Sequence, residues 1–226
     1  EDATAVFNML SGYSEPLTWN KLVLAPIWLR DRFLELIRRE RDNARAGKPA
    51  KIVAKMNSLC DQEIIAALYE ASAAGVEIDL IIRGICCLKV GIPGVSEHIR
   101  VRSIVGNFLE HARIFYFLNN GQEELYMGSA DWMPRNLDKR VEILFPVEAK
   151  GPKEEGKHIL EIQLADTLKA HVLQKDGLYE KVDRRGKEPL CAQEYFAGEA
   201  WEMAEAAQEE ETLNDRVFVP EEPVEE

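Results

Sequence analysis

His111 and Arg113 stand two residues apart in the run HAR, and downstream follow Gly128-Ser129-Ala130-Asp131, Arg135-Asn136 and Arg140. On a strand, residues two apart share a face. An imidazole, which as a type titrates near neutral pH, and a guanidinium with a fixed fork of donors would then meet one ligand together. A glycine and a serine at the end of the paired strand would let a phosphoryl group approach the backbone. Asp131 has two readings, a carboxylate that fixes the tautomer of His111 or a capping group on the turn before Trp132. Arg100 and Arg102 are again two apart, and with Arg135, Lys139 and Arg140 they are candidates for a polyanion path. Each of these arginines reads equally well as a solvated or ion-paired side chain. The residue types point to phosphate recognition assisted by one acid-base group, with a core histidine among surface arginines as the alternative.

A second motif fails on chemistry. Gly151-Pro152-Lys153-Glu154-Glu155-Gly156-Lys157-His158 nearly matches GxxxxGK[ST]. His158 replaces the hydroxyl that would hold Mg2+, and two glutamates sit where backbone amides must cradle phosphate. The expectation there is a solvated turn. The four cysteines, Cys60, Cys86, Cys87 and Cys191, form no CxxC unit and read as reduced thiols, so no metal site is expected.

The elements that must position these residues follow from periodicity. Trp28 to Ala46 spaces Leu29, Phe33, Leu36 and Ile37 at helical intervals and stops at Gly47-Lys48-Pro49. Lys51 to Met56 reads as a strand, Ser58-Leu59-Cys60-Asp61 as a capping box opening a helix to Gly75, and Glu77 to Ile82 as a second strand. That unit predicts two parallel strands with a right-handed crossover. Ligands in such sheets collect at the carboxyl ends of the strands, where Asn57 and Arg83 stand. Ile99 to Ile104 is a further strand, Asn119-Asn120-Gly121 joins a hairpin of Ala112 to Leu118 with Glu123 to Met127, Arg140 to Phe145 is a strand, and Lys157 to Leu173 a helix. The sum is an α/β sandwich with a mixed sheet flanked by helices, over residues 1–192. Residues 193–226 read as an acidic tail, helical around Trp201 and disordered beyond.

The net charge of −12 argues at first against a polyanionic ligand. The average conceals a division, because twelve acidic residues and one basic residue lie between Glu194 and Glu226, leaving −1 for residues 1–193. Between Arg83 and Arg140 eight basic residues outnumber six acidic ones. With 46% apolar residues the chain can bury a core, and no run of about 18 apolar residues marks a membrane span. It begins with Glu1 rather than methionine, without signal-peptide character, and is read as a piece of a longer cytoplasmic protein, at most peripheral to the inner membrane.

Four stretches carry a longer likeness: KMNSLCDQEIIAALYEASAAGV (Lys55 to Val76), IDLIIRGICCL (Ile78 to Leu88), GVSEHIRVRSIVGNFLEHARIFYF (Gly94 to Phe117) and YMGSADWMPRNLDKRVEILFPV (Tyr126 to Val147). In order and wording they resemble the class-1 polyphosphate kinase family. The shorter pattern resembles the HxK…GSxN signature of the phospholipase D superfamily, with Arg113 in place of lysine and Asp131 in place of asparagine. The resemblance implies a phospholipase D-like domain, the second of two catalytic halves that face each other across one site. It implies ATP or ADP and polyphosphate as substrates. The phosphorylated histidine and the residues that hold Mg2+ belong to the preceding half, so this piece alone is expected to be inactive. It assigns nucleotide contact to the arginine of RGICCL and the histidine of LEHARIF, here Arg83 and His111, with His111 catalytic. Asn57, Arg100, Arg102, Arg113, Ser129, Asp131, Arg135, Asn136 and Arg140 are the remaining candidate phosphate contacts. The implied partners are the preceding domain and further copies of the whole enzyme, with no nucleic acid. Rival readings are a phospholipase D-type phosphodiesterase, against which Arg113 and Asp131 count, and a non-catalytic dimerisation module.

Overall fold

The computed structural model describes residues 2–12 and 19–215, with side chains for residues 2–12 and 19–208. In chain order the elements are α1 (Asp2–Leu10), β1 (Val23–Ala25), α2 (Leu29–Arg45), β2 (Lys51–Met56), α3 (Gln62–Ala73), β3 (Glu77–Ile82), β4 (Ile99–Ile104), β5 (Arg113–Phe117), β6 (Glu124–Gly128), α4 (Pro134–Asp138), β7 (Glu142–Pro146), α5 (Lys150–Ala165), β8 (Ala170–Leu173), β9 (Tyr179–Lys181) and α6 (Ala192–Asp215). The strands form one mixed sheet in the order β1-β7-β6-β5-β2-β3-β4-β8-β9. Its centre, β2-β3-β4, is parallel, with Lys51 opposite Glu77 and Ile78 opposite Ile99, and every other pairing is antiparallel.

Helices cover the sheet on both faces, which is why β2 and β3 are buried along nearly their whole length rather than on alternate residues. On one face α2 and α3 bury Phe33, Ile37 and Leu68 against Ile52, Ala54 and Met56 of β2. On the other, Leu160 of α5 packs with Val53, Ile81, Ile114, Tyr116 and Leu125. Phe33, Phe115 and Trp132 form a closed aromatic cluster, with centroids 4.7 to 5.4 Å apart and no exposure. Each such ring contributes about 1.5 to 3 kcal/mol by burial. The cluster fixes the backbone at Trp132, whose carbonyl accepts from the amides of Cys60 and Asp61. The loops after β2 and β6 are thereby joined.

Three expectations change in the structure. Asp61, not Ser58, caps α3, its Oδ1 accepting from the Ile64 amide at 3.0 Å. The stretch from Gly151 to His158 is the start of helix α5 and not a solvated turn. Gly156 lies where a Cβ would collide with the Leu125 side chain, so that glycine serves close helix–sheet packing. The helix expected to reach Leu173 ends at Ala165, and Ala170–Leu173 pairs with β4 as β8. Asp166 makes that break, since its carboxylate accepts from the amides of Lys169, Ala170 and Ala192.

Helix α6 begins at Ala192, within the domain's packing. His158 of α5 meets the Tyr195 and Phe196 rings at 5.9 and 6.2 Å and Glu199 at 2.8 Å, whereas Trp201 and Met203 are exposed. Among the described residues no helix is long and apolar enough to cross a membrane.

Candidate functional site

Strand ends and loops on one edge of the sheet converge on an open cleft of about 220 Å³ lined by Asn57, Arg83, His111, Arg113, Asp131, Met133, Arg135, Asn136 and Arg140. Asn57 follows β2, Arg83 follows β3, His111 precedes β5, and Asp131 follows β6. The carboxyl ends of two parallel strands thus supply two of the site's polar groups, as the topology predicts.

The side chains form a closed ring of hydrogen bonds. Asn57 is central: its Oδ1 accepts from Arg83 Nε at 2.7 Å, while its amide N–H and Nδ2 donate to Asp131 at 2.8 and 3.1 Å. Asp131 also accepts from Arg113 Nε at 3.1 Å. Arg113 Nη1 donates to the His111 carbonyl at 2.7 Å, and Arg83 Nη2 closes the ring 3.3 Å from His111 Nδ1. Arginine can only donate, so this contact is a hydrogen bond in the tautomer that leaves Nδ1 free to accept and places the proton on Nε2. Among the described residues no hydrogen bond joins Asp131 to His111. Of its two readings, a carboxylate that orients the ring or a cap on the turn before Trp132, neither hydrogen bond is present among the described residues: the carboxylate holds Asn57 and Arg113, and Arg83 is the group that meets the imidazole.

His111 itself lies two residues before β5, so its alignment with Arg113 comes from this network rather than from strand alternation. Arg135 and Arg83 have no carboxylate partner among the described residues, and Arg140 reaches Glu142 only at 3.9 Å. Arg83 is half-buried and keeps donors free for an anion.

Ser129, Arg100 and Arg102 are not brought to the cleft. The Ser129 hydroxyl donates to Glu142 and accepts from the Ile143 amide, and Glu142 also accepts from Asn136 Nδ2 at 2.5 Å. Gly128 serves chain packing, because a Cβ there would meet the Ile143 carbonyl at 2.5 Å. Arg100 pairs with Asp79 and Glu77, and Arg102 donates to the Leu164 carbonyl at the end of α5.

Two residues unmarked in the sequence reading stand directly behind the cleft. Lys55 is 4% exposed, and its Nζ lies 3.3 Å from both the Ala112 carbonyl and Glu110 Oε2. Burial lowers its pKa, with Glu110 opposing. The available signal was a lysine at an inward position of the apolar run KIVAKM. Among the described residues no group of three or more His, Cys, Asp or Glu is arranged to hold a metal ion. Asp131, the carboxylate in the cleft, is already engaged on Asn57 and Arg113. The residues present do not fit a Mg2+ site.

Residues 22–193 match the model of a family described as polyphosphate kinase C-terminal domain 2. The polyphosphate kinase of Thermosynechococcus vestitus is 57% identical over 178 residues, which is 79% of this chain and 24% of that protein. That of Pseudomonas aeruginosa is 54% identical over 188 residues, 83% of this chain and 27% of that protein. The crystal structure of polyphosphate kinase from Porphyromonas gingivalis superposes with a TM-score of 0.83 at 40% identity, covering 88% of this chain and 31% of that one. The chain spans about a quarter of the length of these curated relatives.

Proposed function

The chain belongs to the polyphosphate kinase family, as its C-terminal domain 2, and from that premise we propose that it supplies one wall of the site where the longer enzyme moves the terminal phosphoryl group of ATP to polyphosphate and back. The observation that carries this reading is the contact of Arg83 with His111 at 3.3 Å, in a cleft where Arg83 and Arg135 have no carboxylate partner among the described residues. Phosphoryl transfer depends mainly on positioning and charge neutralisation, which is what unpaired guanidinium groups offer.

Arg83 holds phosphate oxygens with its remaining N–H groups, fixed in direction by Asn57. The neutral His111 ring, accepting from Arg83 at Nδ1, donates from Nε2 to an oxygen of the terminal phosphate. A doubly protonated ring has no lone pair for Arg83. Proton uptake by His111, which a general-acid step toward leaving ADP requires, is therefore coupled to its separation from Arg83. Mg2+ would be held by the triphosphate and by residues outside this chain.

The phosphohistidine belongs to another part of the enzyme in this reading. Of the chain's four histidines, His98 pairs with Glu77, His158 with Glu199, and His171 with the Lys169 carbonyl, which leaves His111 at the cleft. The chain alone is accordingly expected to bind nucleotide without turnover. Titration with ATP and with polyphosphate at low salt tests this. Both should bind, Arg83→Ala should weaken ATP about ten- to a hundredfold, and radiolabelled ATP should leave no acid-labile phosphate on the protein. Unchanged binding in Arg83→Ala, or turnover by this chain, would overturn it.

A further inference from the structure

The segment that carries His111 runs from Val105 to Ala112 without regular structure and with Phe108 and Leu109 exposed, so little apolar burial holds it. What holds it is polar and comes from three directions. Gln193, on the first turn of α6, binds the Phe108 backbone at both groups: its Oε1 accepts from the amide at 3.0 Å and its Nε2 donates to the carbonyl at 2.8 Å. The same Nε2 lies 3.1 Å from Glu110 Oε1. Glu110 Oε2 accepts from Gln163 Nε2 of α5 and faces Lys55 Nζ of β2 at 3.3 Å, and Lys55 donates onward to the Ala112 carbonyl. One carboxylate thus gathers three donors from three elements, next to His111. Gln193 and Gln163 are 8% and 2% exposed, so these bonds form away from water, where a missing partner is costly.

We infer that Gln193, Gln163 and Lys55 are positioning residues that act through Glu110 to hold the His111 imidazole against Arg83, so that the root of the C-terminal helix belongs to the nucleotide site. The inference deepens the nucleotide-site reading and rests on it for its functional meaning. Helix α6 is then divided. Its first two turns, to Glu199, position the site, and the exposed stretch from Ala200 to Gln208 does not.

The test compares three variants of the whole 226-residue chain by amide hydrogen exchange and by the ring resonances of His111. Gln193→Met keeps the volume and removes the bonds. Glu110→Gln leaves α6 untouched but puts a donor where three donors converge. A chain ending at Glu199 keeps the contacts and removes the rest of the helix. The two substitutions should each raise exchange at Phe108 to Ala112 about tenfold or more, leave the amides of β2 and β3 protected, and shift or broaden the His111 ring signals. The chain ending at Glu199 should match the unaltered protein in both readouts. Undisturbed ring signals in both substituted chains, or an equal disturbance in the shortened one, would overturn the inference. If Gln193→Met unfolds globally, Glu110→Gln decides by the same criteria. Neither readout contains nucleotide, so a chain that shows these responses yet binds no ATP would refute the nucleotide reading alone.

Discussion

Helix α2 and the cleft are both rich in arginine, and the half-buried arginines of α2 differ from Arg83 of the cleft in the partners they meet. Of the six arginines on α2, Arg30 binds Asp61 and Asp138, Arg32 binds Glu35, Arg39 forks onto Glu124 at 3.0 and 2.8 Å, and Arg41 reaches Glu70, while Arg38 and Arg45 are exposed. In the cleft Arg83 is half-buried and, among the described residues, meets an amide oxygen and an imidazole nitrogen. A charge taken out of water is normally accompanied by its counter-charge. In the proposed reading, the site where the fold withholds the counter-ion receives an anion brought by a ligand. Residue type alone cannot separate Arg83 from the half-buried arginines of α2, and the lack of a carboxylate partner among the described residues does, whereas Arg113 in the same cleft is paired with Asp131.

The contrast is broken most severely at His111. In the longer enzyme, His111→Ala should lower kcat by about 10² to 10⁴-fold, with a much smaller change in KM for ATP, since in the proposed reading it acts on charge that develops in the transition state. Steady-state kinetics on the variant decide this, and an unchanged kcat would remove His111 from the chemistry. Next in size is Arg30→Ala. It strips a fork from the buried Asp61 and should cost about 1 to 3 kcal/mol of stability by denaturant titration, with ATP affinity within twofold. Arg83→Ala should show the reverse pattern. If both arginines changed stability and affinity alike, the division between the regions would fail.

Sequence reading recovered β2 and β3 as a parallel pair because two short, largely apolar runs flank one helix, whereas β4, with Arg100 and Arg102 in it, was legible as a strand but not in its pairing. Asn57 and Arg83 followed from topology, as residues at carboxyl ends of strands. The α5–β8 break stayed hidden because the aspartate side chain of Asp166, rather than a glycine or proline, makes the turn. Gly151 and Gly156 suggested a loop, whereas the spacing of α5 against Leu125 requires the second of them inside a helix. The roles of Ser129, Asp131 and Gln193 depend on partners 13 to 85 residues away, which no local spacing encodes.

Two smaller effects sharpen the picture. Ending the chain at Glu199 removes ten acidic residues and one basic residue. ATP affinity should rise less than twofold at 0.15 M salt, where charges are screened beyond about 8 Å, and somewhat more at low salt. A loss of affinity in a salt titration of the shortened chain would show that the distal helix contributes to the site. Far from the cleft, the amides of Leu22 and Lys21 hold the Asp2 carboxyl well below the usual carboxylate range. Its contribution to docking α1 is present above the ordinary value near 3.9 and is lost only as pH falls through the lower folded value. Protection of the Lys21 and Leu22 amides should persist below about pH 3.9 in the unaltered chain, and be weakened at neutral pH in Asp2→Asn.

The most direct test uses the arginine side chains themselves as reporters. In a titration of the chain with ATP followed by the Nε–H resonances of arginine, Arg83 should shift progressively while Arg30 and Arg39 stay fixed, and the Arg83 response should vanish at high salt. Shifts confined to helix α2, or none at Arg83 at saturating ATP and low salt, would contradict the claim that the unpaired arginines of the cleft receive the nucleotide's phosphates.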